Sequence, residues 1–408
     1  MSTQCFCVKG QVIGADDPRL QGVLARVHGT PERVRCLCVA AGLEMYLARH
    51  HHLVLKRMPG TGSQHHPSCP SFEPELQQSG LGELVGEAVL ESEAGQVELR
   101  VDFAWARLIG HGAVRAAPQK APQEEVAHRR MSLRALMHYL FERAGFNRWS
   151  PAMQGKRNQG VLNRYLMQAA AGVTIKDVAL SGRLYVPEPF CEADKLQAGR
   201  RRREKLALLQ PSGGQSPLAI VIGEFKVSEV TSFGHRVWIK HMPDAPLLVA
   251  AKPWIKIQRK YAPLFEARDA DTGHQIRLMM AALIRARREH TYEIDAAALM
   301  MTTQQWIPVE GVYELALVHA LIDQQRRFIK PLRYDATSAS VFPTALLVDA
   351  GAAPVPLYAV SGFATPKERS AMAAALKTGD ATVWRWHAGQ PMPAFVPAQV
   401  SGVPRPVP

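Results

Sequence analysis

The segment from Arg33 to Phe72 constrains the fold more than any other part of the chain. It carries Cys36 and Cys38 at one end and His65, His66 and Cys69 at the other, with two strand-like runs and a Pro-Gly turn between them. A structural zinc ion takes four thiolate or imidazole ligands in a tetrahedron, usually as two pairs from two turns. Cys36-x-Cys38 and His66-x-x-Cys69 supply such pairs, so the expected ligand set is Cys36, Cys38, His66 and Cys69. The stretch PGTGSQ provides a tight turn, and Pro67 and Pro70 stiffen the second pair. Successive side chains of a regular strand point to opposite faces, so Cys-x-Cys can face one ion only if the chain bulges or reverses at Leu37. His65, adjacent to His66, is the competing imidazole. The bland alternative is two core thiols in a strand followed by a polar surface loop. Four ligands leave no open position, so a metal here would tie a hairpin rather than catalyse.

The other cysteines add less. Cys5-x-Cys7 repeats the spacing without a matching second pair and reads as strand interior, unless it completes the site in place of Cys36 and Cys38. Cys191 stands alone and receives no role. The chain shows no apolar run of about 18 residues, which argues against a membrane span. The start MSTQCFCVKG has neither the charged nor the apolar region of a secretory signal. A cytoplasmic protein is expected, in which cysteines bind metal or are buried rather than forming disulfides.

Charge is large and unevenly placed. The chain of 408 residues has a formal net charge of +13. Residues 1–100 carry 9 Lys/Arg against 11 Asp/Glu, whereas residues 101–210 carry 19 against 9. A concentrated basic segment suits a polyanionic partner, because each Lys or Arg set against a phosphate releases condensed counterions. The alternative is a merely soluble basic surface.

Residues 1–114 read as a β-rich unit with short runs at 5–13, 34–40, 44–48, 53–57 and 96–106. The Pro/Ala/Gln-rich stretch 115–125 reads as a linker. Residues 126–210 read as a basic winged-helix-like domain: a helix capped by Ser132 and ended by Gly145, a second helix with Val161, Leu162, Tyr165, Leu166 and Ala169 on one face, then two short strands around Ser181-Gly182. Lys156, Arg157, Asn158 and Arg164 cluster at and after the start of the second helix, where a recognition helix meets base edges and phosphates. Arg183 is expected at the hairpin tip, and Arg200, Arg201, Arg202 and Arg203 lie on a following basic helix suited to phosphate contact. Trp149 reads as a packing anchor.

Residues 217–390 read as an α/β domain. Its expected elements are a buried strand through PLAIVIGEFKVSEV, helices through HQIRLMMAALIRARREH and EGVYELALVHALIDQQRRF, and a tail of strand (345–349), strand (355–360), helix (366–377) and strand (381–386). The Pro-rich end, 391–408, reads as disordered. The fold class expected is therefore α+β and multi-domain.

Catalysis has one candidate. Glu224 and Lys226 in GEFK match the Glu-x-Lys of metal-dependent nucleases, where a carboxylate holds Mg²⁺ and a lysine positions water. Such a site needs a further acid on a neighbouring strand, and the nearest upstream, Glu188 and Asp194, lie across the basic helix. The tail echoes the same core, but Tyr358, Ala359 and Val360 stand where Glu-x-Lys would.

The strings CLC, EMYLAR, LKRMPGTG…H…C, RLYVPEPF, GEFK, KHMPDAPL and RRFIKPLRYD span most of residues 34–335. On them the chain resembles the bacterial domain-of-unknown-function family eleven-seventy-three, proteins of plasmids and integrative conjugative elements. The resemblance implies a mobile-element setting and supplies no activity. Together these readings lead to the expectation of a non-enzymatic, DNA-binding accessory protein with a structural zinc. A metal-dependent nuclease using Glu224 and Lys226 is the alternative, and a protein-interaction scaffold the third reading.

Overall fold

The computed structural model describes residues 4–49, 52–58, 60–92, 96–108, 129–211, 214–338, 341–362, 364–366, 369–370, 372–373 and 383–399. Helices and strands are mixed throughout, in keeping with an α+β chain. Two compact units are present. One comprises Met1–Ser79, Ala320–Pro331 and Ser340–Pro408, the other Gly80–His319 and Leu332–Ala339. These units follow spatial contact rather than the sequence boundaries at 114, 126–210 and 217–390. The expected linker at 115–125 lies outside the described residues.

The first unit is built on a five-stranded antiparallel sheet. Strands β1 (Cys5–Val8) and β2 (Gln11–Gly14) form a hairpin. Lys9 and Gly10 take positive φ in its two-residue turn, the geometry that matches strand twist. Helix α1 (Leu20–Val27) places Leu24 and Val27 in the core, and β3 (Val34–Cys36), β4 (Leu43–Arg49) and β5 (Leu53–Arg57) complete the order β2-β1-β3-β4-β5. Phe6, Val8, Ile13, Val34, Met45 and Phe72 fill the core beside them. The end of the chain departs from expectation: residues 391–399 are packed rather than disordered. Phe395 is 8% exposed and stacks 5.2 Å from Trp384. The Ala394 carbonyl accepts from Trp384 Nε1 at 3.0 Å, Val396 O from Arg326 at 2.7 Å, and Gln399 N donates to Asp349 O at 2.8 Å. An aromatic anchor with backbone hydrogen bonds on both sides offsets the entropy of ordering a Pro-rich segment. Residues 400–408 and most of the expected helix at 366–377 lie outside the described residues.

In the second unit, helices α2 (Leu133–Arg143) and α3 (Gln159–Ala170) begin where capping chemistry places them. Ser132 accepts from Ala135 N at 3.2 Å and Asn158 from Val161 N at 3.0 Å. A hairpin follows, β6 (Val173–Ile175) and β7 (Val178–Ala179), but its turn is Lys176-Asp177, both at positive φ. Ser181 and Gly182 sit instead in a short helix, Leu180–Arg183. The hairpin is one side of a four-stranded sheet, because β6 also pairs in parallel with Val97–Leu99. The basic helix α4 (Lys195–Leu206) comes next.

The largest element is a closed ring of five strands: β8 (Ala219–Thr231), β9 (Gly234–Ile239), β10 (Leu247–Ala250), β11 (Ile276–Arg288) and β12 (Thr291–Thr303). Between β10 and β11 run helices α5 (Ala251–Lys260) and α6 (Ala262–Asp269). β8 pairs with β9, β9 with β10, β10 in parallel with β12, β12 with β11, and β11 back with β8. One strand serves both sides because β8 pairs with β11 through Glu224 and with β9 from Phe225, a register shift between Phe225 and Val227 turning it. A five-stranded barrel with its third and fifth strands parallel and a helix between the third and fourth has the connectivity of the OB-fold.

This overturns the expected helix at 274–290, which is strand β11. Leu278 through Ile284 are all at most 1% exposed. A run buried on both faces shows neither a period of 2 nor one of 3.6, and periodicity alone cannot separate strand from helix there. The other expected helix of this stretch is present as α7 (Val312–Asp323).

Candidate functional site

The sulfurs of Cys36, Cys38 and Cys69 and one ring nitrogen of His65 all lie within 4.8 Å of one another. Strand β3 ends at Cys36 and the chain turns at Leu37–Cys38, the reversal that lets both sulfurs face inward. Gly42, at φ +66, returns the chain to β4. On the other side, a 3-10 turn over Gly62–Gln64 delivers His65, and a turn closed by Cys69 N on His66 O at 2.8 Å delivers Cys69.

The imidazole of the cluster is His65 and not His66. His65 is 2% exposed, with Nδ1 3.2 Å from Cys38 Sγ and 3.8 Å from Cys69 Sγ. His66 turns to its own loop, its Nδ1 2.8 Å from Ser68 Oγ and accepting from Ser68 N at 3.2 Å. Burial and the nearby Arg327 cation push the His66 pKa down. The second pair is thus His-x-x-x-Cys, one residue longer than the spacing expected.

The geometry fits a zinc ion. Bonds of about 2.3 Å to sulfur in a tetrahedron imply sulfur–sulfur edges of roughly 3.8 Å, and Cys36 Sγ lies 3.7 Å from Cys69 Sγ. The surroundings favour thiolates: the Gln4 amide donates to Cys36 Sγ at 3.3 Å and to Cys69 Sγ at 3.5 Å, and Ser71 N donates to Cys69 Sγ at 3.4 Å. Hydrogen bonds from Cys38 and Cys69 draw the Cys36 thiol well down, and Cys38 and Cys69 are driven up in turn by their bonds to Cys36. Three thiols this close oppose one another's ionisation. A dication changes that balance, since it lets all three ionise together.

The basic residues split into anchors and exposed groups. Arg157 is an anchor: its guanidinium donates to the carbonyls of Gly145, Phe146, Arg148 and Gln305 and lies 5.1 Å from the Phe146 ring and 5.6 Å from Trp149. Burial lowers its pKa to about 10. Asn158 is the α3 cap. Arg183 ends the short helix Leu180–Arg183 instead of sitting at a hairpin tip, and donates to Leu218 O at 3.2 Å. Arg202 is buried on Asp244 and Arg201 pairs with Glu188 at 2.9 Å. Lys156, Arg164, Arg200 and Arg203 are exposed, with no ion-pair partner among the described residues.

Glu224 is held by Lys240 at 3.1 Å and Arg277 at 2.7 Å, while Lys226 is exposed at the β8 bulge. Among the described residues the Cys36–Cys69 set is the one group of three or more side chains placed to hold a metal ion, and Glu224 belongs to no such group. Sequence reasoning passed over helix α5, AKPWIKIQRK, whose four cations and no acid were a readable charge pattern. It also passed over Gln4, which no spacing rule marks.

A family model described as "Protein of unknown function (DUF1173)" matches residues 6–389. No curated protein and no solved structure matches the chain. No helix among the described residues is long and apolar enough to cross a membrane.

Proposed function

The chain belongs to the DUF1173 family, and we propose that it is a non-enzymatic nucleic-acid-binding accessory protein, with DNA of a mobile element as its partner and one structural zinc. The observation that carries this reading is the division of labour on α4. Arg201 and Arg202 fasten the helix through Glu188 and Asp244, and Arg200 and Arg203 remain exposed without ion-pair partners among the described residues. A helix clamped by half its arginines presents the other half from an already fixed backbone, and such groups bind phosphates by charge. Lys156 and Arg164 on and beside α3 extend the same chemistry. Zinc on Cys36, Cys38, His65 and Cys69 would close the β3–β4 turn onto the loop after β5, four ligands leaving no position for substrate.

The nuclease alternative is weaker, because Glu224 is paired with two cations and belongs to no group of three or more ligating side chains among the described residues. The test is fluorescence anisotropy of a labelled duplex across a salt series. The wild type should bind with a steep salt dependence, and Arg200→Ala/Arg203→Ala should weaken binding and flatten the log–log slope by about 2. An unchanged slope removes α4 from the account, and absent binding at low salt favours the scaffold reading.

A further inference from the structure

The OB-type barrel carries a second surface, made of residues other than those of α4, that sets an exposed aromatic and a half-buried one among cations without ion-pair partners among the described residues. In β9, Val237 and Ile239 are buried, so Arg236 and Trp238 point out of the barrel. Arg236 is exposed and Trp238 half-buried, the latter opposite Val227, which is 39% exposed. At the β8–β9 tip, Val230 is 80% and Phe233 82% exposed. Gly234 brings this tip onto the end of β10 and the start of α5: a Cβ there would fall 2.2 Å from Val249 O and 2.9 Å from Ala250 Cα. Phe233 therefore lies beside a helix whose Lys252, Lys256 and Arg259 are exposed, with no ion-pair partner among the described residues. The β11–β12 turn adds exposed Arg287 and Arg288. The acids nearby are few: Glu229 opposite Arg236, Glu289 3.4 Å from His290, and Glu293 paired with Arg285 at 3.1 Å.

We propose that this β9–β10 face, with the β8–β9 tip and α5, binds single-stranded nucleic acid. Non-specific single-strand binding needs cations that track the backbone and aromatic faces on which unpaired bases stack. A duplex hides its base faces and gains nothing from Phe233, whereas a single strand uses both. In barrels of this connectivity the second and third strands and their flanking loops are the binding side, and those are the elements that carry Arg236, Trp238 and Phe233 here. The apolar groups are few on a cationic surface, which suits stacked bases better than an apolar protein partner.

The inference rests on nucleic acid as the partner and not on α4. The experiment compares a labelled oligothymidine of about 15 nucleotides, within the span of an OB-type site, with a labelled duplex and with heparin, a polyanion without bases. Phe233→Ala, at a side chain open to solvent, should weaken oligothymidine binding about ten-fold and leave heparin binding unchanged. Lys252→Ala/Lys256→Ala should weaken both. Equal oligothymidine affinity in Phe233→Ala overturns the proposal. Duplex binding by a wild type that ignores oligothymidine overturns it too but spares the α4 reading, and failure to bind either ligand removes both.

Discussion

Arg157→Ala separates structural from contacting roles for the basic residues most sharply. The guanidinium donates to four backbone carbonyls, three of them at 2.9–3.2 Å, and lies over two aromatic rings. Removing it leaves up to four carbonyls short of a donor. Each buried acceptor left unmet costs about 1–3 kcal/mol, less where water enters the space the side chain vacates. Two cation–π contacts of roughly 0.5–2 kcal/mol are also lost. The desolvation cost that depresses the Arg157 pKa is recovered at the same time, so the net loss should be about 3–5 kcal/mol. Arg157→Lys keeps the charge but not the planar fork, and should recover less than half. Equilibrium urea unfolding followed by near-ultraviolet circular dichroism measures this directly. A loss below about 1 kcal/mol, or a stable variant with selectively reduced DNA affinity, would refute the structural role and return Arg157 to the nucleic-acid surface.

Two further predictions follow from the charged groups. Burial works against ionised Glu83, but bonds from Ser338, Thr337 and Arg129 win and hold its pKa at about 2. The unfolded value is about 4.3, so its stabilisation is full above that pH and lost as pH falls from there through about 2. The difference in melting temperature between wild type and Glu83→Gln should therefore shrink between pH 7 and pH 3.5, and a difference that grows would contradict it. Chelation should destabilise the first unit: because the thiols and imidazole must be deprotonated to bind, EDTA should lower its melting temperature at pH 7.5 and do progressively less on acidification. A melting curve indifferent to EDTA at pH 7.5 would count against a resident metal.

Much of the local structure was legible because it depends on nearest neighbours. Ser132 and Gly145 bracket α2 by capping chemistry that sequence states outright, and strands such as Leu53–Arg57 stand where alternation puts them. The candidate metal site was three-quarters legible: thiol spacing identified the cysteines, but the choice between His65 and His66 depends on how the 3-10 turn before them is oriented. β11 was misread because its apolar residues are buried by the barrel on one side and by packed elements on the other, a tertiary fact that removes the pattern. The barrel itself was illegible for a related reason, since the bulge after Phe225 that lets β8 serve two neighbours has no sequence mark. Arg157 looked like a recognition residue because position on a helix start says nothing of the carbonyls that converge on it.

The most direct measurement of the account is the zinc content of purified protein beside His65→Ala and His66→Ala, read by native mass spectrometry with elemental analysis. One zinc per chain in the wild type, retained in His66→Ala and lost or markedly weakened in His65→Ala, is the predicted result. A metal-free wild type, or loss of metal in His66→Ala with retention in His65→Ala, would contradict it.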